Sequence, residues 1–251
     1  MIRLIDNDCE ALKTVCSHDV FGTRIKAYFD TYKAKFDFLK VWVQLDENEN
    51  PTAAISLMDK DMTLTCRENA DFEELEFFIK MTDFSSLQCK RSVLKKLNLK
   101  ESLWGYVVGY DEITPVKSEN ISFNIDFKQM YSLISGVKLL GVGEYLPWLS
   151  DITYRVNHST AMPAAIYEDG SLSACAAALF ITDSAALLGA VATDPQQRGK
   201  GFGGALVKTL GNRMLESGRR VELLCKHDSI VEFYKSIGFK VKGEWAIFKS
   251  E

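Results

Sequence analysis

The chain has 251 residues, 47% hydrophobic and 25% charged, enough for one large domain or two small ones. With 30 Lys+Arg against 34 Asp+Glu the formal net charge is −4, which gives no electrostatic footprint for DNA or RNA. The longest apolar runs, ACAAALFI and AALLGAVA, are too short to span a bilayer, and Met1–Asp8 lacks the basic start and long apolar run of a secretory signal, so a cytoplasmic protein with no membrane partner is expected.

The N-terminal half reads as LKVWVQLD (39–46), TAAISLMD (52–59) and MTLTC (62–66), three strands joined by turns. A helix follows over DFEELEFFIKM (71–81), then a strand over SLQCK (86–90), a short helix over SVLKKL (92–97) and a strand over SLWGYVVGY (102–110). The polar, Pro-containing segment DEITPVKSEN (111–120) reads as a boundary. In the C-terminal half, PAAIYED (163–169) and SLSACAAALFIT (171–182) flank Gly170 as a hairpin, and SAALLGAVAT (184–193) is a third strand. Residues 201–217 read as a helix, with Phe202, Leu206, Leu210 and Met214 recurring every four positions and Gly218 as its C-terminal cap. RVELLCK (220–226) is a strand, SIVEFYKSIG (229–238) a short helix and EWAIFK (244–249) the last strand.

Both halves therefore carry the order β-β-β-α-β-α-β, which indicates a mixed α/β (α+β) sheet. SVLKKLNLKESLWGYVV stands beside SIVEFYKSIGFKVKGEWAIF in the same way, so two copies of one fold are expected, over 1–115 and 120–251. The cysteines at 9, 16, 66, 89, 175 and 225 form no C-x-x-C pair and no metal-ligand cluster with the three histidines, so reduced, mostly buried thiols and no metal are expected.

VATDPQQRGKGFGGALVKTL (191–210) places Gly199, Gly201, Gly203 and Gly204 between a strand-like and a helix-like run. Glycine permits positive φ and close backbone approach. A helix start offers unpaired N–H groups and the positive end of the helix dipole. Together they make a cradle for a phosphate or pyrophosphate, to which Arg198 and Lys200 add charge; the plain alternative is a flexible surface turn. A P-loop is excluded because no Lys-Ser or Lys-Thr follows a glycine at the required spacing. Gly199-x-Gly201-x-x-Gly204 satisfies the dinucleotide fingerprint literally, but Asp194–Arg198 separate the strand from the first glycine.

QQRGKG (196–201) resembles the Q/R-x-x-G-x-G/A signature of the GCN5-related N-acetyltransferase (GNAT) superfamily, and VEFYKSIGFK (231–240) resembles its second motif, F-Y-x-x-x-G-F on a helix. The resemblance covers residues 120–251 well and the N-terminal half by element order alone. It implies two GNAT-like lobes, each a mixed, mostly antiparallel twisted sheet flanked by helices. It further implies acetyl-CoA as cosubstrate, its pyrophosphate on the amides of Arg198, Gly199, Lys200, Gly201, Phe202, Gly203 and Gly204 after Gln196, and its pantetheine arm along Val191, Ala192 and Thr193. The implied reaction is direct acetyl transfer to a primary amine on a small molecule or a peptide N-terminus, with Tyr234 as general acid to the departing thiolate. The alternative is a non-catalytic acyl-CoA-binding or regulatory protein. His227 stands where many family members carry a cofactor-contacting Asn. The general base is left open among Glu222, Asp194, His227 and water; Glu222 is more simply a solvated edge carboxylate. Phe233 and Phe239 are expected in the core.

In the N-terminal half no glycine occurs between Gly22 and Gly105, and CRENADFEELEFF puts Glu68, Asp71, Glu73, Glu74 and Glu76 where the cradle would be. By the repeat register Leu97 stands near the place of Tyr234. This half is expected to brace the active lobe, extend the acceptor site or mediate assembly as a homodimer. GEYLPWLSDITYRVNHST (143–160) is a candidate lid or wall, where Tyr145, Trp148, Tyr154, Arg155 and His158 either face an acceptor or pack as core.

Overall fold

The structure, a computed structural model, describes every residue except 8, 9, 117–119, 140, 227 and 251, and the side chain at 34. The chain divides into two compact units: Met1–Val108, Leu224–Val231 and Val241–Glu251 form one, and Gly109–Leu223 and Glu232–Lys240 the other.

The first unit opens with β1 (Ile2–Leu4), α1 (Glu10–Cys16) and α2 (Val20–Tyr32). Then come β2 (Leu39–Leu45), β3 (Pro51–Met58), β4 (Asp61–Cys66), α3 (Phe72–Met81), β5 (Ser86–Lys90), α4 (Arg91–Lys96) and β6 (Leu103–Tyr110). Strands β1 to β4 pair antiparallel in sequence order, and β5 joins β4 in parallel from Asp61–Ser86 to Thr63–Gln88. On β2 the alternation Leu39, Val41, Val43 supplies buried residues to one face. The apolar side of α3, Leu75 and Ile79, closes a core with Leu64, Leu87, Cys89 and Leu94.

The second unit holds β7 (Ile121–Ser122), α5 (Phe127–Gly136), α6 (Tyr145–Asn157), β8 (Met162–Glu168), β9 (Ser171–Ile181), β10 (Ala185–Thr193) and α7 (Phe202–Glu216). The chain ends with β11 (Arg220–Cys225), α8 (Asp228–Ser236) and β12 (Lys240–Lys249). Strands β7 to β10 pair antiparallel, and β11 joins β10 in parallel. β9, SLSACAAALFI, is buried along nearly its whole length. Its small residues are explained by helices on both faces: Cys175 and Ala177 share a core with Met130 and Ile134 of α5, while α7 packs against β8, β9 and β10. β12 runs antiparallel to β5, from Trp245–Lys90 to Lys249–Ser86, so the last strand of the chain is part of the first unit.

The fold is mixed α/β with a mostly antiparallel sheet flanked by helices, as the sequence leads one to expect. The order β-β-β-α-β-α-β occurs over β2–β6 and over β8–β12. Among the described residues no disulfide forms; Cys16, Cys89, Cys175 and Cys225 are buried and Cys66 is half-buried. No helix among the described residues is long and apolar enough to cross a membrane.

Candidate active site

β10 ends at Thr193, and Asp194 starts a single 3-10 turn, its side chain accepting from Gln196 N at 2.8 Å. Gly199 and Gly201 follow, both at φ +82°, and a Cβ built on either meets nothing within 4 Å. These two are glycines for conformation: an L side chain in the left-handed region costs about 1–2 kcal/mol. Gly203 and Gly204 are glycines for approach. A Cβ on Gly203 would lie 3.3 Å from Thr193 Oγ1, and one on buried Gly204 would lie 3.4 Å from Ile237 Cγ2.

Gly201 is the N-cap of α7 and offers no side chain. Helices α2, α3 and α5 differ: Asp19, Asp71 and Asp126 each fold back to accept first-turn amides. The first-turn amides of α7 therefore stand without a side-chain cap, with the positive end of the helix dipole behind them and open space beside Gly199 and Gly201. Gln196, Arg198 and Lys200 are exposed around this loop, and Lys200 Nζ lies 5.8 Å from the Phe202 ring centroid.

The strand that leads into the loop is irregular. β10 pairs with β9 through Gly189–Ala177 and then Ala192–Cys175, so Ala190 and Val191 together oppose a single residue. This is a β-bulge, and Ala190 sits in it at φ +50°. The β10–β11 ladder covers Ala185 to Leu188, while Ala192 and Thr193 keep Cys175 and Ala174 of β9 as partners. The signal for this bend was Gly189, a glycine inside a strand pattern.

On α8, Tyr234 is buried at 5% exposure, its ring 5.1 Å from that of Phe233 and 5.4 Å from that of Phe239. Phe239 is core, as expected, but Phe233 is not: it is 39% exposed, with Cζ 4.0 Å from the Cβ positions built on Gly203 and Gly204. The reason is geometric, since Phe233 lies against the loop glycines, which offer no side chains to cover it. His227 lies outside the described residues. Glu222 is not the solvated edge carboxylate expected of it: its side chain is 12% exposed and accepts from Arg220 Nε at 3.0 Å.

The segment 143–160 is mostly helix α6, along which Tyr145, Trp148 and Tyr154 are half-buried and His158 is exposed. Arg155 is 5% exposed; it pairs with Asp151, donates to Leu179 O at 2.6 Å and lies over the Phe180 ring. Trp148 packs on Phe127 and Tyr131, Tyr145 on Tyr131, and Tyr154 stacks on His158.

The corresponding place in the first unit is built differently. β3 and β4 pair from Ala53–Cys66 to Met58–Asp61 without a register shift. The start of α3 is closed by the chain itself: Asp71 accepts from Glu74 N at 3.0 Å, Gln44 Oε1 accepts from Asp71 N at 3.1 Å, and Gln44 Nε2 donates to Glu74 at 2.9 Å. Leu97 is buried.

Residues 163–241, which include the loop, the bulge and Tyr234, match the family model of the acetyltransferase (GNAT) domain. No curated protein matches the chain. Among solved structures it is similar to a Drosophila protein (TM-score 0.65, 11% identity, 99% of this chain and 98% of that one). It is also similar to a GNAT-family acetyltransferase from Colwellia psychrerythraea (0.59, 10%, 100% of each). A tandem GNAT protein from the clavulanic acid biosynthesis pathway matches as well (0.57, 13%, 100% and 98%). At these identities the likeness is one of fold. Residues 163–241 thus match the acetyltransferase (GNAT) domain model, and the chain has the fold of solved GNAT proteins.

Proposed function

We propose that this chain is an N-acetyltransferase that uses acetyl-CoA to acetylate a primary amine by direct transfer. The observation that carries the reading is the uncapped start of α7, with Gly199 and Gly201 at positive φ beside open space. That arrangement fits a diphosphate, because main-chain donors and a helix dipole act on an anion that no side chain displaces. Exposed Arg198 and Lys200 add positive charge to it. Val191 in the bulge, and Ala192 and Thr193 after it, lie beyond the β10–β11 ladder, which suits an amide-bearing arm.

Bound at this loop, acetyl-CoA supplies the acetyl group as a thioester. A β10 amide is the donor we assign to the thioester oxygen, and Tyr234 Oη holds the proton that the departing sulfur takes up. The C–S bond breaks as the N–C bond forms, and the amine proton leaves to a base or to water. In this reading 120–251 is the active copy and 1–115 a degenerate one, whose self-capped α3 and unbulged β4 suit no diphosphate.

The burial of Tyr234 in aromatic packing favours a second reading, an acyl-CoA-binding protein without turnover. The deciding experiment has two arms. CoA should raise the melting temperature of the wild-type chain, and Gly201→Glu, which places a carboxylate in the cradle, should abolish that shift while the chain stays folded. CoA release from acetyl-CoA with a panel of amines should then be found, and Tyr234→Phe should lower kcat with little change in CoA affinity. Retained CoA binding in Gly201→Glu refutes the cradle; binding without release across the panel leaves the second reading.

A further inference from the structure

Tyr110, the last residue of β6, is 1% exposed and is among the largest fully buried side chains of the protein. β6 starts in the first unit, but Gly109 and Tyr110 belong to the second. There Tyr110 Oη donates to Asn212 Oδ1 at 2.9 Å and shares a hydrogen bond with Thr114 Oγ1. Asn212 is itself fixed, accepting from Thr114 N at 3.1 Å and donating to Thr114 O at 2.7 Å.

The ring is framed by two glycines. A Cβ on Gly211 would lie 2.6 Å from Tyr110 Cδ1, and one on Gly238 would lie 3.5 Å from Cε2. On its other side Tyr110 stacks on Phe239 at 4.8 Å and 27°, and Phe239 meets Tyr234 edge-on at 5.4 Å. The Gly and the last Phe of F-Y-x-x-x-G-F therefore both contact a residue from the other half of the sequence, with Tyr234 next in the row.

We infer that Tyr110 is a positioning residue for Tyr234, acting through Phe239; the inference rests on the proton-donor reading of Tyr234. A side chain that must hold one proton on one sulfur needs a fixed ring, and Tyr234 gains it from a stack whose far end is clamped by Asn212 and Thr114.

The test uses the full chain with ring-labelled tyrosine, the Tyr234 resonance being the one lost in Tyr234→Phe. Tyr110→Leu should shift or broaden that resonance, and Tyr110→Phe, which keeps the ring but loses the hydroxyl clamp of Asn212 and Thr114, should restore it in part. If Tyr110→Leu does not fold, Gly211→Ala, whose Cβ intrudes on the Tyr110 ring, serves in its place. An unmoved Tyr234 resonance overturns the inference. In acetyl-CoA turnover, Tyr110→Leu should lower kcat about tenfold with KM for acetyl-CoA within about twofold, and should cost under about twofold once Tyr234 is Phe. A full loss on the Tyr234→Phe background overturns it too. If Tyr234→Phe alone leaves kcat intact, the proton-donor reading fails, and the resonance still decides whether Tyr110 sets the ring.

Discussion

Thr193 Oγ1 stands 3.3 Å from the point a Cβ on Gly203 would occupy. The end of β10 and the first turn of α7 are thus fitted to each other across the loop they share. Gly203→Ala should gain helix stability, up to about 1 kcal/mol, and lose much of it to this contact. Removing the hydroxyl leaves Val191 Cγ1, at 3.9 Å, as the next neighbour. Gly203→Ala should therefore be more favourable on a Thr193→Ala background by about 0.5–1 kcal/mol, read from urea midpoints of the four variants. Additive effects would show that the strand end and the helix do not constrain each other.

The parts of the site that the sequence made legible are those set by backbone chemistry. Gly199 and Gly201 need positive φ, and only glycine writes that need into a sequence plainly. The helix beginning at Phe202 follows from its four-residue spacing and is found with its start in place. α2 escaped notice because it is buried on nearly every side, with only Arg24, Lys26 and Asp30 left partly open to mark a polar stripe. β12 begins at Lys240, ahead of the expected 244, because its exposed first residues, such as Lys240 and Val241, show no strand alternation. Phe233 and Glu222 were misplaced for a tertiary reason: one is uncovered by glycines far away in sequence, the other is covered beside Arg220. Spacing along one element carries neither fact.

Cys175 gives a pH dependence with a definite sign. Burial raises its thiol from 9.0 to about 12, partly offset by hydrogen bonding to the backbone. The folded state therefore holds the neutral thiol over a range in which the unfolded chain ionises. That contribution is fully present below the unfolded pKa of about 9 and is lost as pH rises from there towards 12. Tyrosines and lysines titrate in the same window, so the readout is a difference between variants. Between about pH 8 and pH 10 the urea midpoint should fall less in Cys175→Ala than in the wild-type chain. Equal falls would mean that the thiol already ionises freely in the fold.

Asp19 and Asp126 are both helix caps, and their surroundings make them unequal. Asp126 is exposed and accepts from Lys128 N at 2.8 Å and Gln129 N at 3.1 Å. Asp126→Ala should cost about 1 kcal/mol, the ordinary value of an N-cap. Asp19 is 6% exposed; its Oδ1 accepts from Phe21 N at 3.1 Å, Gly22 N at 2.9 Å and Thr65 Oγ1 at 2.8 Å, and its Oδ2 forms an ion pair with Lys90 Nζ at 2.9 Å. Truncating it strands buried donors on α2 and β4 as well as an ion-pair partner. Lys90 is 43% exposed and can turn to water, which lowers the cost below that of a wholly buried pair. Asp19→Ala should still cost about 2–3 kcal/mol. Asp19→Asn keeps an acceptor for the α2 amides and should recover more than half of that loss. Chemical denaturation of the three variants checks the order; equal losses at 19 and 126 would show that the contacts to Thr65 and Lys90 add nothing to the cap.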